Sequence, residues 1–148
     1  MISPELLRRY PAFANITADD LRFISTFSEE RNYEEGRVIF EERAPASHLY
    51  VIVKGEVDIF STVGNGKRTT VDSLIAGDLM QLSSVVPPFE TRFGAVTRGP
   101  TKVIAIRAGM LRDYLENNAT AGFHLLQRIV EAMSERLDGT RVQLAATA

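Results

Sequence analysis

GDLMQLSSVVPPFETRFGAV, residues Gly77 to Val96, is the stretch on which the reading of this chain turns. Gly77 and Asp78 make a turn, two apolar residues follow, a short helix begins near Leu82, and Arg92 stands ten positions after Leu82, just ahead of a strand. Taken on their own, Arg92 reads as a surface residue paired with Glu90 or another carboxylate, and Ser83 and Ser84 as caps of a helix start.

Outside this stretch, 148 residues with 45% hydrophobic and 24% charged side chains describe one ordinary globular unit, long enough to bury a core without staples. A net charge of −2 leaves no basic footprint for nucleic acid or an anionic membrane. With no cysteine there is no disulfide framework and no thiolate metal site. The N-terminal MISPELLRRYPAF has no apolar h-region, and no apolar run is long enough to span a bilayer, so the expected location is the cytoplasm.

Ser3 before Pro4 and Glu5, and Thr17 before Asp19 and Asp20, read as two helix starts, with Leu21, Phe23, Ile24 and Phe27 giving the second an apolar face. From Tyr33 the period becomes that of strands: Val38 to Phe40, Leu49 to Val53, Val57 to Phe60, Thr69 to Leu74 and Lys102 to Arg107. Gly36, Pro45 and Gly55 punctuate them, and Val63-Gly64-Asn65-Gly66-Lys67 reads as a hairpin tip with a primed turn. The acidic pairs Glu29-Glu30, Glu34-Glu35 and Glu41-Glu42 fall in turns or at strand ends. Residues Met110 to Leu115 predict a short helix, and a longer one runs from about Thr120 to Leu137. In the longer helix Phe123, Leu126, Val130, Met133 and Leu137 follow the alternating three and four spacing of a coiled-coil seam, with Arg128, Glu131, Glu135 and Arg136 off it. Residues 142–148 read as a fraying tail.

Residues 77–96 resemble the phosphate-binding cassette of the cyclic-nucleotide-binding domain family, the sensor half of catabolite-activator-like regulators and of nucleotide-gated kinases and channels. Gly77 and Asp78 match its Gly-Asp turn, and the separation of Leu82 and Arg92 is the one the family keeps between its Glu and its Arg. The resemblance implies that the phosphate is met by backbone N–H groups at the start of the short cassette helix, here those of Leu82, Ser83 and Ser84, and by the guanidinium of Arg92. ELLRRYPAFANITADDLRFI is similar to the family's N-terminal helical segment and GRVIFEERAPASHLYVIVKGEVDIF to its first strands, with Gly36 and Gly55-Glu56-Val57 where it places turn glycines. The resemblance implies a mainly β protein with flanking helices: a double-stranded β-helix, or jelly-roll, barrel over 29–107 containing the cassette 77–96. N-terminal helices over 1–28 precede it and C-terminal helices, ending in a long one, follow over 108–138, all in one domain of 1–148.

The cassette departs from the family at three positions. Gln81 replaces a Gly that permits close backbone approach, Leu82 replaces the Glu that accepts from the ribose hydroxyl, and Phe93 replaces a Ser or Thr donor. A buried hydroxyl left unpaired costs roughly 1–3 kcal/mol, about 5- to 150-fold in affinity. Together the changes are expected to move a cyclic-nucleotide site from micromolar towards millimolar. The candidate ligand residues are Leu79, Met80, Gln81, Leu82, Ser83, Ser84, Arg92 and Phe93. So apolar a cassette, counting Val85 and Val86, predicts a self-filled pocket, with a site for a less polar ligand as the alternative. In the family the base lies beneath the long helix, where Phe123, Gln127 and Val130 would touch it unless they pack on the barrel or a partner.

No catalytic constellation accompanies the cassette. His48 and His124 have no second ligand at metal spacing and read as solvated or half-packed imidazoles, and there is no GxSxG pattern to activate Ser83 or Ser84. The expectation is a regulatory sensor domain, not an enzyme, with no cofactor or metal and a weakly bound small anionic ligand. It would form a homodimer through the seam Phe123, Leu126, Val130, Met133 and Leu137, and, ending at Ala148, would not bind DNA or membrane directly. The alternative is a pseudo-sensor that has lost nucleotide binding and serves as an interaction and dimerisation module.

Overall fold

A computed structural model describes residues 1–147. Among these residues the strands are β1 (Ser28–Tyr33), β2 (Val38–Phe40), β3 (His48–Lys54), β4 (Glu56–Thr62), β5 (Arg68–Ile75), β6 (Leu79–Met80), β7 (Gly94–Thr97) and β8 (Thr101–Arg107). They form two four-stranded antiparallel sheets, ordered β1-β8-β3-β6 and β2-β7-β4-β5. The helices are α1 (Pro4–Arg8), α2 (Ala18–Ser25), α3 (Ala108–Asn117) and α4 (Ala119–Ala146). This is the expected jelly roll with flanking helices and a long C-terminal helix. None of these helices is long and apolar enough to cross a membrane.

Side-chain alternation along β3 and β8 divides the core. Tyr50, Ile52, Val103 and Ala105 point between the sheets and meet Val57, Leu74, Met80 and Ala95. Leu49, Val51, Ile104 and Ile106 point the other way and pack under Phe13, Leu21, Ile24, Phe27, Leu111, Leu125 and Ile129. The sheet is covered on both faces, which is why β3 and β8 read as continuous apolar runs. The second sheet is covered less completely, and its β5 edge faces the cavity described below.

Four local expectations are corrected. The strand pattern begins before Tyr33: Ser28–Tyr33 is a strand, β1, with Glu29 and Glu30 near its start, and it pairs only with β8, at the sheet edge. The hairpin tip is not a primed turn. Gly66 N–H donates to Val63 O at 2.8 Å, and only Gly66, φ +80°, is left-handed, the pattern of an ordinary turn closed by a glycine bulge. Helix α3 extends beyond Met110 to Leu115 on both sides. Helix α4 starts at Ala119 and runs on to Ala146, past the expected ends at Leu137 and 138, because Arg141, Gln143, Leu144, Ala145 and Ala146 are good helix formers. The predicted tail is therefore helical through Ala146, and Ala148 lies outside the described residues.

The start of α4 is fixed by a close approach. A Cβ on Gly122 would sit 2.9 Å from Leu115 O, so the first turn of α4 rests on the backbone of α3. Asn118, with φ −136° and ψ 74°, breaks the two helices apart.

Candidate ligand site

The cassette begins with the turn the sequence predicts. Gly77 sits at φ +95°, where a side chain is unfavourable, and the Asp78 carboxylate accepts the Ile75 N–H at 2.8 Å. Gly77 N–H donates to Ile52 O at 2.8 Å and Ile52 N–H to Asp78 O at 3.0 Å, which ties the turn to β3. β6 then pairs Met80 with Tyr50 and Leu79 with Val51. Both side chains are spent in packing: Met80 fills the space between the sheets, and Leu79 joins the apolar layer beneath the helices.

Gln81 adopts φ 59° and ψ 51°, left-handed geometry that costs an L-residue roughly 1–2 kcal/mol. This local need accounts for a glycine in the family pattern at that position. The Gln81 side chain is buried, at 5% exposed. Its Oε1 accepts the His48 N–H at 3.4 Å, while its Nε2 has no partner among the described residues.

Leu82–Val85 forms a single 3-10 turn. The Ser84 N–H is consumed by Gln81 O at 2.9 Å, so of the three candidate amides those of Leu82 and Ser83 are the ones that precede the intrahelical ladder. Ser84 itself is fully buried with an unpartnered Oγ, whereas Ser83 is half-buried and lines the cavity. Leu82, 8% exposed, presents its apolar side chain to the same space.

After Phe89 the chain is anchored to the loop before β3: Ala46 N–H donates to Phe89 O at 2.8 Å and Thr91 N–H to Ala44 O at 2.9 Å. The Thr91 hydroxyl donates to Phe93 O at 2.9 Å. These bonds present Arg92 and Phe93 outward, both exposed. The pairing of Arg92 with Glu90 is not formed, and among the described residues the Arg92 guanidinium has no ion pair or hydrogen bond.

The space between cassette, β5 and α4 is open. It measures about 480 Å³ and is bordered by Gln81, Leu82, Ser83, Glu90, Thr91, Arg92 and Phe93 from the cassette, Phe40 and Ile59 from β2 and β4, Val71, Asp72 and Leu74 from β5, and Arg136 and Thr140 from α4. The self-filled pocket is thereby corrected: Leu82 and Phe93 line the cavity without occupying it. Of the candidate ligand residues, Gln81, Leu82, Ser83, Arg92 and Phe93 come together here, and Leu79, Met80 and Ser84 do not.

The helical wall also differs from expectation. Phe123, Gln127 and Val130 lie on the solvent side of α4, away from the cavity; Arg136 and Thr140 border it. Helix α4 carries two stripes. Gly122, Leu125 and Ile129 are buried against the rest of the fold, and Arg136 continues that face; Phe123, Leu126, Val130, Met133 and Leu137 are between 39% and 63% exposed. The Arg136 guanidinium donates through Nη2 to the carbonyl of Leu79. Burial pulls its pKa below the ordinary arginine value, against the attraction of Asp72, Asp78 and Glu135. From α3, Arg112 Nη1 donates to Ser84 O at 2.7 Å, and its guanidinium lies 4.2 Å over the Phe89 ring.

A sequence profile of the cyclic nucleotide-binding domain matches residues 30–118. The chain is similar over 93% of its length to a solved structure from Geobacter metallireducens GS-15 named for cyclic-nucleotide binding, with 34% identity, a TM-score of 0.84 and 99% of that chain covered. It is 22% identical over 142 residues to a CRP-like cAMP-activated global transcriptional regulator of Mycobacterium tuberculosis, of which it spans 61%. It is 32% identical over 59 residues to a potassium channel protein of Rhodopseudomonas palustris, of which it spans 14%.

Proposed function

This chain belongs to the cyclic nucleotide-binding domain family, and on that premise we propose that it is a cytoplasmic sensor domain whose cassette cavity takes a small anionic ligand and passes the event to α4. The observation that carries this reading is the Arg92 guanidinium, which borders the cavity and has no ion pair or hydrogen bond among the described residues. The N–H groups of Leu82 and Ser83, ahead of the intrahelical ladder, belong to the same cassette. An anion seated there neutralises the guanidinium through charge-assisted hydrogen bonds.

Cyclic AMP and cyclic GMP are poor occupants on this reading. Leu82 offers the ribose hydroxyl no acceptor, and the apolar wall formed by Phe40, Ile59, Leu74 and Phe93 favours a less polar body. Isothermal titration of both nucleotides into the wild type and Arg92→Ala tests the proposal. Dissociation constants in the millimolar range, weakened about tenfold or more by Arg92→Ala, are expected; no heat from either nucleotide at millimolar concentration contradicts the reading in its nucleotide form.

The transmitting element is α4, and we propose that its outer stripe pairs with a second copy of the chain in a coiled-coil-like homodimer. An exposed apolar row at seam spacing supports this. Sedimentation of the wild type as a dimer and of Val130→Glu as a monomer is the expected result; a wild-type monomer at high concentration contradicts it.

A further inference from the structure

We propose that Arg136 is a second ligand-binding residue of the cavity, and that the ligand it selects carries two anionic groups joined by an apolar body, one held by Arg92 and the other by Arg136. The inference rests on the reading of the cavity as an anion site and deepens it.

Arg136 reaches the cavity from α4, on the wall formed with Thr140, whereas Arg92 belongs to the cassette. Its guanidinium has five N–H donors, of which one goes to Leu79 O. Among the described residues no carboxylate lies within 4.0 Å of it. Its one direct partner is a neutral carbonyl, while Asp72, Asp78 and Glu135 attract it from longer range; a partly buried charge is ordinarily paired directly.

Two carboxylates border the same cavity and do not satisfy this need. Asp72 attracts Arg136 from longer range, but its Oδ1 accepts the Ser73 N–H at 2.9 Å. Glu90 is exposed on the cassette side. The cavity that both guanidiniums border has apolar side chains in its wall, with Val71, Leu74 and Leu82 contributing from β5 and the cassette. A cyclic phosphate has one charge and uses only one of these cations. A dianion with an aliphatic or aromatic centre uses both.

The test compares straight-chain dicarboxylates (adipate, suberate and sebacate) with the monocarboxylate of the same carbon number, by calorimetry on the full chain. At least one dicarboxylate is expected to bind about tenfold or more tighter than its monocarboxylate counterpart. Arg136→Gln, or Arg136→Met where the Gln variant unfolds at lower temperature, abolishes that preference, and Arg136→Lys restores part of it. Arg92→Gln weakens both classes. Equal binding of every pair to the wild type, or a preference that survives loss of the Arg136 charge, overturns the proposal. If Arg92→Gln still weakens the monocarboxylates in that case, the anion site itself stands. Binding of no carboxylate and no cyclic nucleotide overturns both.

Discussion

Arg112 Nη1 lies 2.7 Å from the carbonyl oxygen of Ser84, which places a guanidinium from α3 on the backbone of the cassette's one helical turn. The same guanidinium covers the ring of Phe89 at 4.2 Å. α3 leads through Asn118 directly into α4, so the cassette and the long helix are joined by side chain and by chain path. A hydrogen bond with a charged donor contributes roughly 1.5–3 kcal/mol and a cation–π contact about 0.5–2 kcal/mol. Arg112→Ala is expected to lower stability in urea by about 2–3 kcal/mol, and Arg112→Lys by less. An unchanged midpoint for Arg112→Ala would show that the contact holds nothing together.

The same substitution should stabilise at one place in α4 and not at another. At Gly122 an added Cβ meets Leu115 O at 2.9 Å, while at Gly139 it meets open space. Alanine raises helix propensity by about 1 kcal/mol over glycine, whereas overpacking against backbone costs typically ~1–3 kcal/mol. Gly139→Ala is therefore expected to raise the melting temperature by roughly 2–4 °C, and Gly122→Ala to lower it or leave it unchanged. Stabilisation by both would show that α3 and α4 are not in close contact.

The reading of Leu82 is checked by restoring what it lacks. Leu82→Glu supplies an acceptor where a ribose hydroxyl is expected, for a gain of about 5- to 150-fold in cyclic AMP affinity. The gain should be absent for a 2′-deoxy cyclic nucleotide. If the variant melts cooperatively and cyclic AMP binds no better, the missing carboxylate is not what limits nucleotide binding.

Acid should weaken the fold through His48. Its Nε2 lies 3.2 Å from Arg31 Nη2 and its Nδ1 2.8 Å from Ser47 Oγ. Burial, then the charge of Arg31, holds its pKa below the ordinary value; Glu29 works in the opposite direction, and Arg107 adds to the lowering. The folded state therefore prefers neutral imidazole and the unfolded state takes up the proton first. Stability is full above about pH 6.5 and falls as pH drops below it, towards the folded pKa. Urea midpoints measured across this range should slope downward for the wild type and flatten in His48→Gln. An equal slope in both would assign the effect to other groups.

Much of the barrel was legible because its residues are local signals. Gly77 and Asp78 mark a turn that needs positive φ, and the apolar runs of β3 and β8 mark a sheet buried on both faces. β1 was hidden by its composition: Ser28–Tyr33 offers no apolar alternation, since it is an edge strand paired with β8 alone and Tyr33 is its one large apolar contact with the core. Half of the site was legible for the same reason as the turn. Gln81, Leu82, Ser83, Arg92 and Phe93 lie in one stretch and meet in space. Arg136 and Thr140 carried no such mark. Arg136 is 57 residues from the Leu79 carbonyl it binds, and it belongs to the inner stripe of a helix whose outer stripe has the stronger apolar period. Leu79 and Met80 carry no distinguishing mark in sequence, because apolar residues in a cassette look alike until the pairing of β6 with β3 shows that both are packed.

The central claim, that the cavity between cassette and α4 receives a small anion through Arg92, is tested most directly by titrating the protein with cyclic AMP to millimolar concentration while following its backbone amide NMR signals. Saturable shifts at Gln81 to Ser83 and at Arg92 to Phe93, extending to Arg136 and Thr140 and abolished by Arg92→Ala, are the predicted result. Shifts confined to other surfaces, or cassette shifts that Arg92→Ala leaves intact, would contradict it.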